Sequence, residues 1–244
     1  MKKLTTEEMH RLTVEEFRES EKLPLTVVLD NVRSLNNIGS VFRTSDAFRV
    51  EHIALCGITA TPPHREIHKT ALGAEDTVAW SYHEETAEYV KELKRQGYKI
   101  YAVEIAHDSI KLGSDKLLSQ LQAAASQKHT PSPLRGSLAH PLPENPQDSL
   151  FPNLGGEQDG PGRVSSSSPK LGEVDVHRTD GGVCMDNHIA IVFGNEIEGV
   201  QEEVMELCDG FLEIPQSGTK HSLNVSCAAA IVIWEMYKEL RIKS

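Results

Sequence analysis

The chain has 244 residues, of which 39% are hydrophobic and 25% are charged, and its formal net charge is −11. This length fits one large domain or two small ones. No stretch approaches the roughly 20 apolar residues of a membrane span, so a transmembrane protein is excluded. The four cysteines are widely spaced without a CxxC pair, which argues against a zinc ribbon and a disulfide scaffold. Because the first residues also lack the apolar core of a secretory signal, we expect a cytoplasmic protein.

Apolar strands alternate with amphipathic helices along most of the chain. The capping-box spacing of Thr13 and Glu16 predicts a short helix ending near Glu21, so residues 1–23 are predicted to be a helical extension. The predicted strands are residues 25–30, 52–56, 99–105, 188–193 and 211–214. The predicted helices are residues 38–48, 67–73, 84–96, 117–125, 201–207 and 223–240. Near-continuous apolar strands between helices indicate an α/β fold, a parallel sheet with helices on both faces.

The segment of residues 128–182 differs in composition from the rest of the chain. Pro, Gly and Ser supply 23 of its 55 residues, and its few leucines follow neither a helical nor a strand period. Such a segment buries too little apolar surface to offset the entropy of ordering it. We therefore predict a disordered insertion, either passive or ordered by substrate, between two parts of one domain, residues 24–127 and 183–244.

The negative net charge argues at first against a nucleic-acid partner, whose phosphates favour a basic surface. The charge is uneven, however, because the first 50 residues carry eight basic and eight acidic side chains. RNA therefore stays possible as a partner through a local patch near the N-terminal end of the domain.

Polar, glycine-bearing segments follow three of the predicted strands, and ligands bind at the carboxyl ends of parallel strands. In the first segment, residues 30–43, we predict a helix with Gly39 and Ser40 in its first turn. Backbone N–H groups there favour an anion such as phosphate, and Arg43 adds a further donor one turn later. The alternative is an ordinary N-cap followed by a surface arginine.

The second segment, residues 193–200, carries two glycines that let a ligand approach the backbone closely. The carboxylates of Glu196 and Glu198 can contact ribose hydroxyls or a cationic ligand. The alternative is a plain turn in which a glutamate lies near a helix N-terminus and is stabilised by the helix dipole.

The third segment, residues 214–226, leads into a long apolar helix through Ser222, Asn224 and Ser226. Asparagine is unfavourable inside a helix, which suggests a specific role for the Asn224 amide. The alternative is that Ser222 is the N-cap and Asn224 is merely exposed. Cys227, in the apolar run that follows, is predicted to be a small core residue.

His64 and His68 have the i, i+4 spacing of a metal-binding pair. No third ligand accompanies them, so we predict solvent-exposed histidines and no metal site.

Taken in order, the three segments resemble the motifs of the SpoU/TrmH group of SPOUT methyltransferases. The first motif matches NIGSVFRTSDA at residues 37–47, and the second matches FGNEIEG at residues 193–199. The third matches IP at residues 214–215 and SLNVS at residues 222–226. The resemblance covers residues 24–112 and 187–240, and the insertion is the departure from the family pattern.

That group transfers a methyl group from S-adenosylmethionine to a ribose 2′-oxygen of RNA. The resemblance implies a homodimer and a C-terminal trefoil knot within the parallel α/β domain. It also implies a cofactor site formed by Glu104, Gly194, Ile214 and Leu223.

The resemblance gives Arg43 the central catalytic role, supported by Asn37, Glu196, Ser222 and Asn224. Arginine is effectively always protonated, which favours Arg43 as a clamp for a phosphate or for the developing oxyanion over Arg43 as the base. Asn37 would orient the arginine or the ribose, and the Asn224 amide would bridge the motif loops.

Only about 23 residues precede the first strand, so the separate N-terminal RNA-binding domain of some relatives does not fit. We therefore expect a tRNA substrate, methylated on a guanosine, in preference to rRNA. The RNA contacts are expected from the basic residues Lys2, Lys3, Arg11, Arg33 and Arg43.

Three alternatives remain: an rRNA 2′-O-methyltransferase, a catalytically silent RNA-binding protein of the same fold, and a small phosphotransferase. The last would need a phosphate-loop lysine at a glycine turn, which the sequence lacks.

Overall fold

The computed structural model describes residues 3, 11–126, 188–220 and 222–242. The chain divides into two units, residues 1–142 with 186–244 and residues 143–185. The second unit lies outside the described residues, as does the insertion predicted at residues 128–182. The first unit contains all the elements described below.

Seven strands form one sheet in which every pairing is parallel. The strands are β1 Leu23–Asp30, β2 Val50–Cys56, β3 Trp80–His83, β4 Lys99–Val103, β5 Ile110–Lys111, β6 Ile189–Phe193 and β7 Gly210–Glu213. Their order in the sheet is β3-β2-β1-β6-β4-β7-β5. The helices are α1 Val14–Glu19, α2 Leu35–Ala47, α3 Arg65–Ala71, α4 Ala74–Thr77, α5 Thr86–Arg95, α6 Asp115–Ser126, α7 Glu202–Met205 and α8 Val225–Tyr237, and a π-helical turn, Lys238–Ile242, follows α8.

Alternate residues of the central strands point to two separate cores. Val27 and Leu29 of β1 join a core with side chains of α2, α3 and α8. Val28, between them, joins a second core with side chains of α5 and α7. This alternation follows from the two-residue period of a strand, and it confirms the predicted sheet with helices on both faces.

The order of the strands reverses beside β1. The chain runs outward from β1 to β2 and β3, and α5 then carries it back to β4 on the other side. β6 fills the place between β1 and β4, although it follows the insertion in sequence. The carboxyl ends of β1, β6 and β4 therefore flank the switch point of the sheet, where parallel folds of this kind bind ligands.

The structure differs from the sequence-based expectations at several points. α2 begins at Leu35 with Ser34 as its N-cap, three residues earlier than predicted. The short elements α4, β3 and β5 were not predicted at all.

Cys227 is exposed on α8, so its predicted place in the core is wrong. The physical reason is that α8 is apolar around most of its circumference, and the hydrophobic pattern alone does not show which face packs inward.

In the part of the chain that the structure describes, no helix is long and apolar enough to cross a membrane.

Candidate active site

A cavity of about 620 Å³ lies at the carboxyl ends of β4, β6 and β7. This volume is in the range of small-molecule sites. The cavity brings together all four residues predicted to bind a cofactor, Glu104, Gly194, Ile214 and Leu223. Three of the five predicted catalytic residues, Glu196, Ser222 and Asn224, line it as well.

The loop after β6 is folded tightly on itself. The backbone N–H of Asn195 donates to the Gly199 carbonyl at 2.9 Å, and the N–H of Gly199 donates to the Asn195 carbonyl at 3.0 Å. Gly199 has a φ of +74°, which favours glycine. A Cβ on Gly194 would overlap with the backbone of Gly199 and Val200. Both glycines are thus required by the fold of the loop itself.

Glu104 follows β4 and lies against this loop. One of its carboxylate oxygens accepts a hydrogen bond from the Val200 N–H at 3.4 Å and occupies the space that a side chain at Gly199 would fill. The other oxygen accepts from the N–H of Ile105 at 3.1 Å. The end of β4 is thereby joined to the end of β6 across the cavity.

The segment after β1 forms no anion site at Gly39 and Ser40. Because Ser34 caps the helix, these two residues lie in its second turn, and the prediction of first-turn N–H donors there is wrong. Gly39 serves helix packing instead. A Cβ at this position would overlap with the side-chain oxygen of Thr70 and the carbonyl oxygen of Ile67 in α3.

Glu196 occupies the N-terminus of α2. Its carboxylate accepts hydrogen bonds from the backbone N–H groups of Arg33 and Ser34, both at 3.1 Å, and from the Asn37 side-chain nitrogen at 3.0 Å. Burial by itself raises the pKa of the Glu196 carboxyl, but these hydrogen bonds outweigh it and hold the pKa below its ordinary value. Glu196 is therefore an ionised carboxylate that joins the second segment to the first.

Asn37 and Asn224 link the first segment to the third. The Asn224 side-chain nitrogen donates to the Asn37 side-chain oxygen at 3.1 Å. The Ser226 hydroxyl donates to the Asn224 side-chain oxygen at 2.6 Å and lies 3.4 Å from the same Asn37 oxygen. Asn224 is also the N-cap of α8, because its oxygen accepts from the Ser226 N–H at 2.9 Å. Ser222 is exposed and lies before the helix, so it is not the N-cap.

Arg43 is exposed on α2 and lies outside the set of residues that line the cavity. Within the described part of the chain it makes no hydrogen bond or ion pair, so its guanidinium is available to a ligand. The amide of Asn37 contacts Glu196 and Asn224 rather than Arg43.

The histidine pair of α3 has two different partners. His68 Nδ1 lies 2.5 Å from the Glu75 carboxylate, and His64 Nδ1 accepts a hydrogen bond from the Glu66 N–H at 3.2 Å. Both histidines are exposed.

Asp30, at the end of β1, supports the loop beside the cavity without lining the cavity itself, a role that sequence reasoning missed. Its fully buried carboxylate accepts hydrogen bonds from the Thr86 hydroxyl at 2.6 Å and from the Gln201 N–H at 3.0 Å. Asp30 thus fixes the exit of the loop after β6. The sequence did contain an indication of this role, because Asp30 directly follows a continuous apolar run. A carboxylate in such a buried position needs hydrogen-bond partners.

The lining of the cavity fits S-adenosylmethionine. Glu104, Glu196, Glu198 and Glu213 line it together with apolar residues, and no lysine or arginine is among the described residues that line it. Carboxylates attract the positive sulfonium, and apolar surface suits the adenine ring. The same carboxylates would repel nucleotide phosphates, which disfavours the phosphotransferase alternative.

Comparison with known proteins identifies the family. The model of the SpoU rRNA Methylase family matches residues 24–125 and 163–234. The chain is 24% identical to a tRNA (guanosine(18)-2'-O)-methyltransferase of Thermus thermophilus over 97% of this chain and 86% of that protein. It is 25% identical to the 23S rRNA (guanosine-2'-O-)-methyltransferase RlmB of Nitrosomonas europaea over 93% of this chain and 61% of that protein.

Solved structures show the same fold. The crystal structure of the A. aeolicus TrmH/SpoU tRNA modifying enzyme aligns over 94% of this chain and 82% of its own, with a TM-score of 0.59 and 18% identity. The SpoU methyltransferase AviRb from Streptomyces viridochromogenes, in complex with the cofactor AdoMet, aligns over 93% of this chain and 64% of its own, with a TM-score of 0.56 and 15% identity.

The expected enzyme class, an RNA methyltransferase that uses S-adenosylmethionine, is confirmed at the level of the family. Because the family model matches more than half of the residues, the chain belongs to the SpoU rRNA Methylase family.

Proposed function

We propose that this protein methylates a ribose 2′-hydroxyl of tRNA, on a guanosine. The observation that carries the proposal is the joining of the three motif segments by Glu196, Asn37 and Asn224 at the wall of an acidic cavity. The preference for tRNA is supported by the Thermus relative, whose name specifies guanosine 18 of tRNA and which matches this chain nearly end to end.

In this proposal, residues that line the cavity bind the methyl donor, and Arg43 on α2 contacts the RNA. When bound, S-adenosylmethionine supplies an electrophilic methyl group. Glu104, Gly194, Ile214 and Leu223, which line the cavity, would hold it there. Glu196, Asn37 and Asn224 keep the N-termini of α2 and α8 in fixed relation, so that a ribose hydroxyl and the methyl group can be aligned.

Arg43 acts on the RNA side of the reaction. Its exposed guanidinium binds a substrate phosphate or the negative charge that develops on the 2′-oxygen. A permanently protonated group is suited to this role and unsuited to accept the proton.

Methyl transfer to purified RNA tests the proposal. The protein is incubated with S-adenosylmethionine and, separately, with total tRNA and with rRNA from a strain lacking the enzyme, and nucleosides are analysed by mass spectrometry. We expect a new 2′-O-methylguanosine in tRNA. Methylation of rRNA alone would establish the second candidate, which the RlmB relative supports. RNA binding without S-adenosylmethionine binding would indicate the silent RNA-binding protein.

We also propose a homodimer formed through α8. Cys227, Ile231 and Trp234, spaced i, i+4 and i+7, are exposed along one stripe of this apolar helix. Trp234 continues the stripe into an aromatic cluster with Phe48 and Tyr237, at ring-centroid distances of 5.6 and 6.0 Å. Light scattering on the wild type and on Ile231→Glu checks this, with a dimer expected for the first and a monomer for the second. The trefoil knot and the cytoplasmic location stay predictions.

A further inference from the structure

The segment of residues 57–72, which contains α3, is joined to the motif segment of residues 31–43 by hydrogen bonds at both of its ends. At one end the Thr59 hydroxyl accepts from the Val32 N–H at 2.9 Å. At the other end the Thr70 hydroxyl donates to the Asn36 carbonyl at 3.1 Å. Between these points α3 crosses α2 at Gly39, where close approach excludes any side chain. The two segments therefore form one continuous surface.

This surface differs in charge from the rest of the protein. Residues 31–45 contain Arg33 and Arg43 and no Asp or Glu, and residues 57–72 add Arg65 and Lys69 against the single carboxylate of Glu66. The whole chain carries a net charge of −11. We call Arg33, Arg43, Arg65 and Lys69 the basic face. All four are exposed.

The opposite face of the sheet carries the opposite charge. Residues 202–206, which include α7, hold three glutamates and no lysine or arginine. A polyanion is repelled there and attracted to the basic face. Arg65 has no hydrogen bond or ion pair within the described part of the chain. Lys69 has only an exposed contact with Glu66 at 3.5 Å, which contributes little and is readily exchanged for a phosphate.

We propose that the basic face docks the phosphate backbone of the RNA substrate, with Arg65 and Lys69 of α3 contacting phosphates that flank the nucleotide held near Arg43. This inference rests on the proposed function and extends it, because it assigns RNA binding to a helix that carries none of the three motifs. Phosphate contacts of this kind position the RNA without reading its sequence.

The test uses the double variant Arg65→Gln, Lys69→Gln, which keeps side-chain length and helix propensity. Binding of labelled, unfractionated tRNA to the full chain is measured by filter binding across a series of salt concentrations. Each phosphate contact contributes about 0.7 to 0.9 to the slope of log affinity against log salt. We expect the slope to become shallower by about 1.5 and the Kd to rise on the order of tenfold at low salt, since two contacts are lost.

The matched control is Lys111→Gln, Lys116→Gln. These exposed lysines lie on β5 and α6, at the far edge of the sheet from β2 and β3, and their loss changes the net charge equally. We expect the control to bind tRNA with the wild-type slope. A double variant on α3 that matches the control, or a wild-type protein that binds no tRNA, would overturn the inference.

Failure of the proposed function has a different signature. S-adenosylmethionine binding, measured by calorimetry, is expected to be the same in the wild type, the double variant and the control. A wild type that binds tRNA with the predicted salt dependence but transfers no methyl group contradicts the activity and supports the docking surface. A wild type that methylates RNA while the α3 variant keeps its slope contradicts the docking surface alone.

Discussion

The Glu196 carboxylate accepts a hydrogen bond from the Asn37 side chain at 3.0 Å, although 159 positions separate the two residues in the sequence. Glu196 also accepts hydrogen bonds from the backbone N–H groups of Arg33 and Ser34, the two residues directly before α2. The loop beside the cofactor cavity and the helix that carries Arg43 are therefore held in one arrangement.

Glu196→Gln should impair catalysis more than folding. The amide keeps one acceptor oxygen and places an NH₂ group against a backbone N–H donor, so at least one of the three hydrogen bonds is lost. We expect kcat/KM to fall about tenfold or more, which corresponds to a net cost of roughly 1 to 3 kcal/mol for an unsatisfied donor. Steady-state methyl transfer measures this, with the exposed α7 variant Glu203→Gln as a control at wild-type activity.

Arg43→Ala should separate cofactor binding from methyl transfer. Arg43 is exposed and does not line the cavity, so we expect calorimetry to give an unchanged Kd for S-adenosylmethionine. Methyl transfer to tRNA should fall by about two orders of magnitude or more, as when an oxyanion donor is removed. Wild-type activity in this variant would remove Arg43 from the mechanism.

Asp30→Asn should destabilise the loop after β6, because Asp30 accepts a hydrogen bond from the Gln201 N–H at the end of that loop. The amide replaces one acceptor oxygen with a donor, which faces either the Thr86 hydroxyl or the Gln201 N–H. We expect a loss of about 1 to 3 kcal/mol in the free energy of unfolding and a higher Kd for S-adenosylmethionine. Thr86→Val removes the same hydrogen bond from the other side, so the double variant should cost less than the sum of the two single changes. Additive effects would show that the two side chains are not coupled.

Gly39→Ala should loosen the contact between α2 and α3. The added methyl overlaps with the Ile67 carbonyl oxygen, which the backbone of α3 holds in place. We expect thermal denaturation to show a loss of about 1 to 3 kcal/mol, typical of overpacking. A methyl group on Gly218 would have no atom within 4 Å, so Gly218→Ala serves as the control and should leave the melting temperature unchanged.

His52 should make the protein less stable in acid. Burial, and secondarily the nearby His83, lowers the pKa of His52 to about 4, against a smaller opposing effect of Glu51. Its ring nitrogen Nε2 lies 2.8 Å from the Ser81 hydroxyl, which in turn lies 2.7 Å from His83 Nε2. Because the folded pKa is below the unfolded value of about 6.5, the contribution of the neutral ring is complete above pH 6.5 and is lost as the pH falls toward 4.

The predicted slope is about 1.4 kcal/mol per pH unit in that window. Urea denaturation at several pH values measures it. In His52→Gln this part of the pH dependence should disappear, and an unchanged profile would assign it to other groups.

The sequence predicted the elements whose apolar residues form a clear run or period. β1 and β6 contain continuous apolar runs, so both were predicted as buried strands. β3 contains no buried residue and β5 has only two residues, so neither shows the apolar run of a buried strand. Strand order could not be predicted either, because no local pattern shows that β6 inserts between β1 and β4.

The candidate site was predicted by residue type better than by arrangement. The four residues that the resemblance assigns to the cofactor line one cavity, and their role in binding it stays a prediction. The N-cap of α2 was missed because Ser34 lies in a run of polar residues, any of which could begin a helix. The partners of Asp30 come from two distant segments, which a pattern within one strand does not reveal.

The central place of β6 also determines when, during synthesis, the sheet and the cavity can form. During synthesis β1 and β4 emerge well before Ile189, and until that residue is made they have no common neighbour. β6 is directly followed by the loop that supplies Glu196 to α2, and β7, which joins β5 to the sheet, comes later still. The sheet and the cavity at its carboxyl edge are therefore completed only by residues 189–228, so a chain synthesised as far as residue 188 has neither the finished sheet nor the cavity walls that those residues supply.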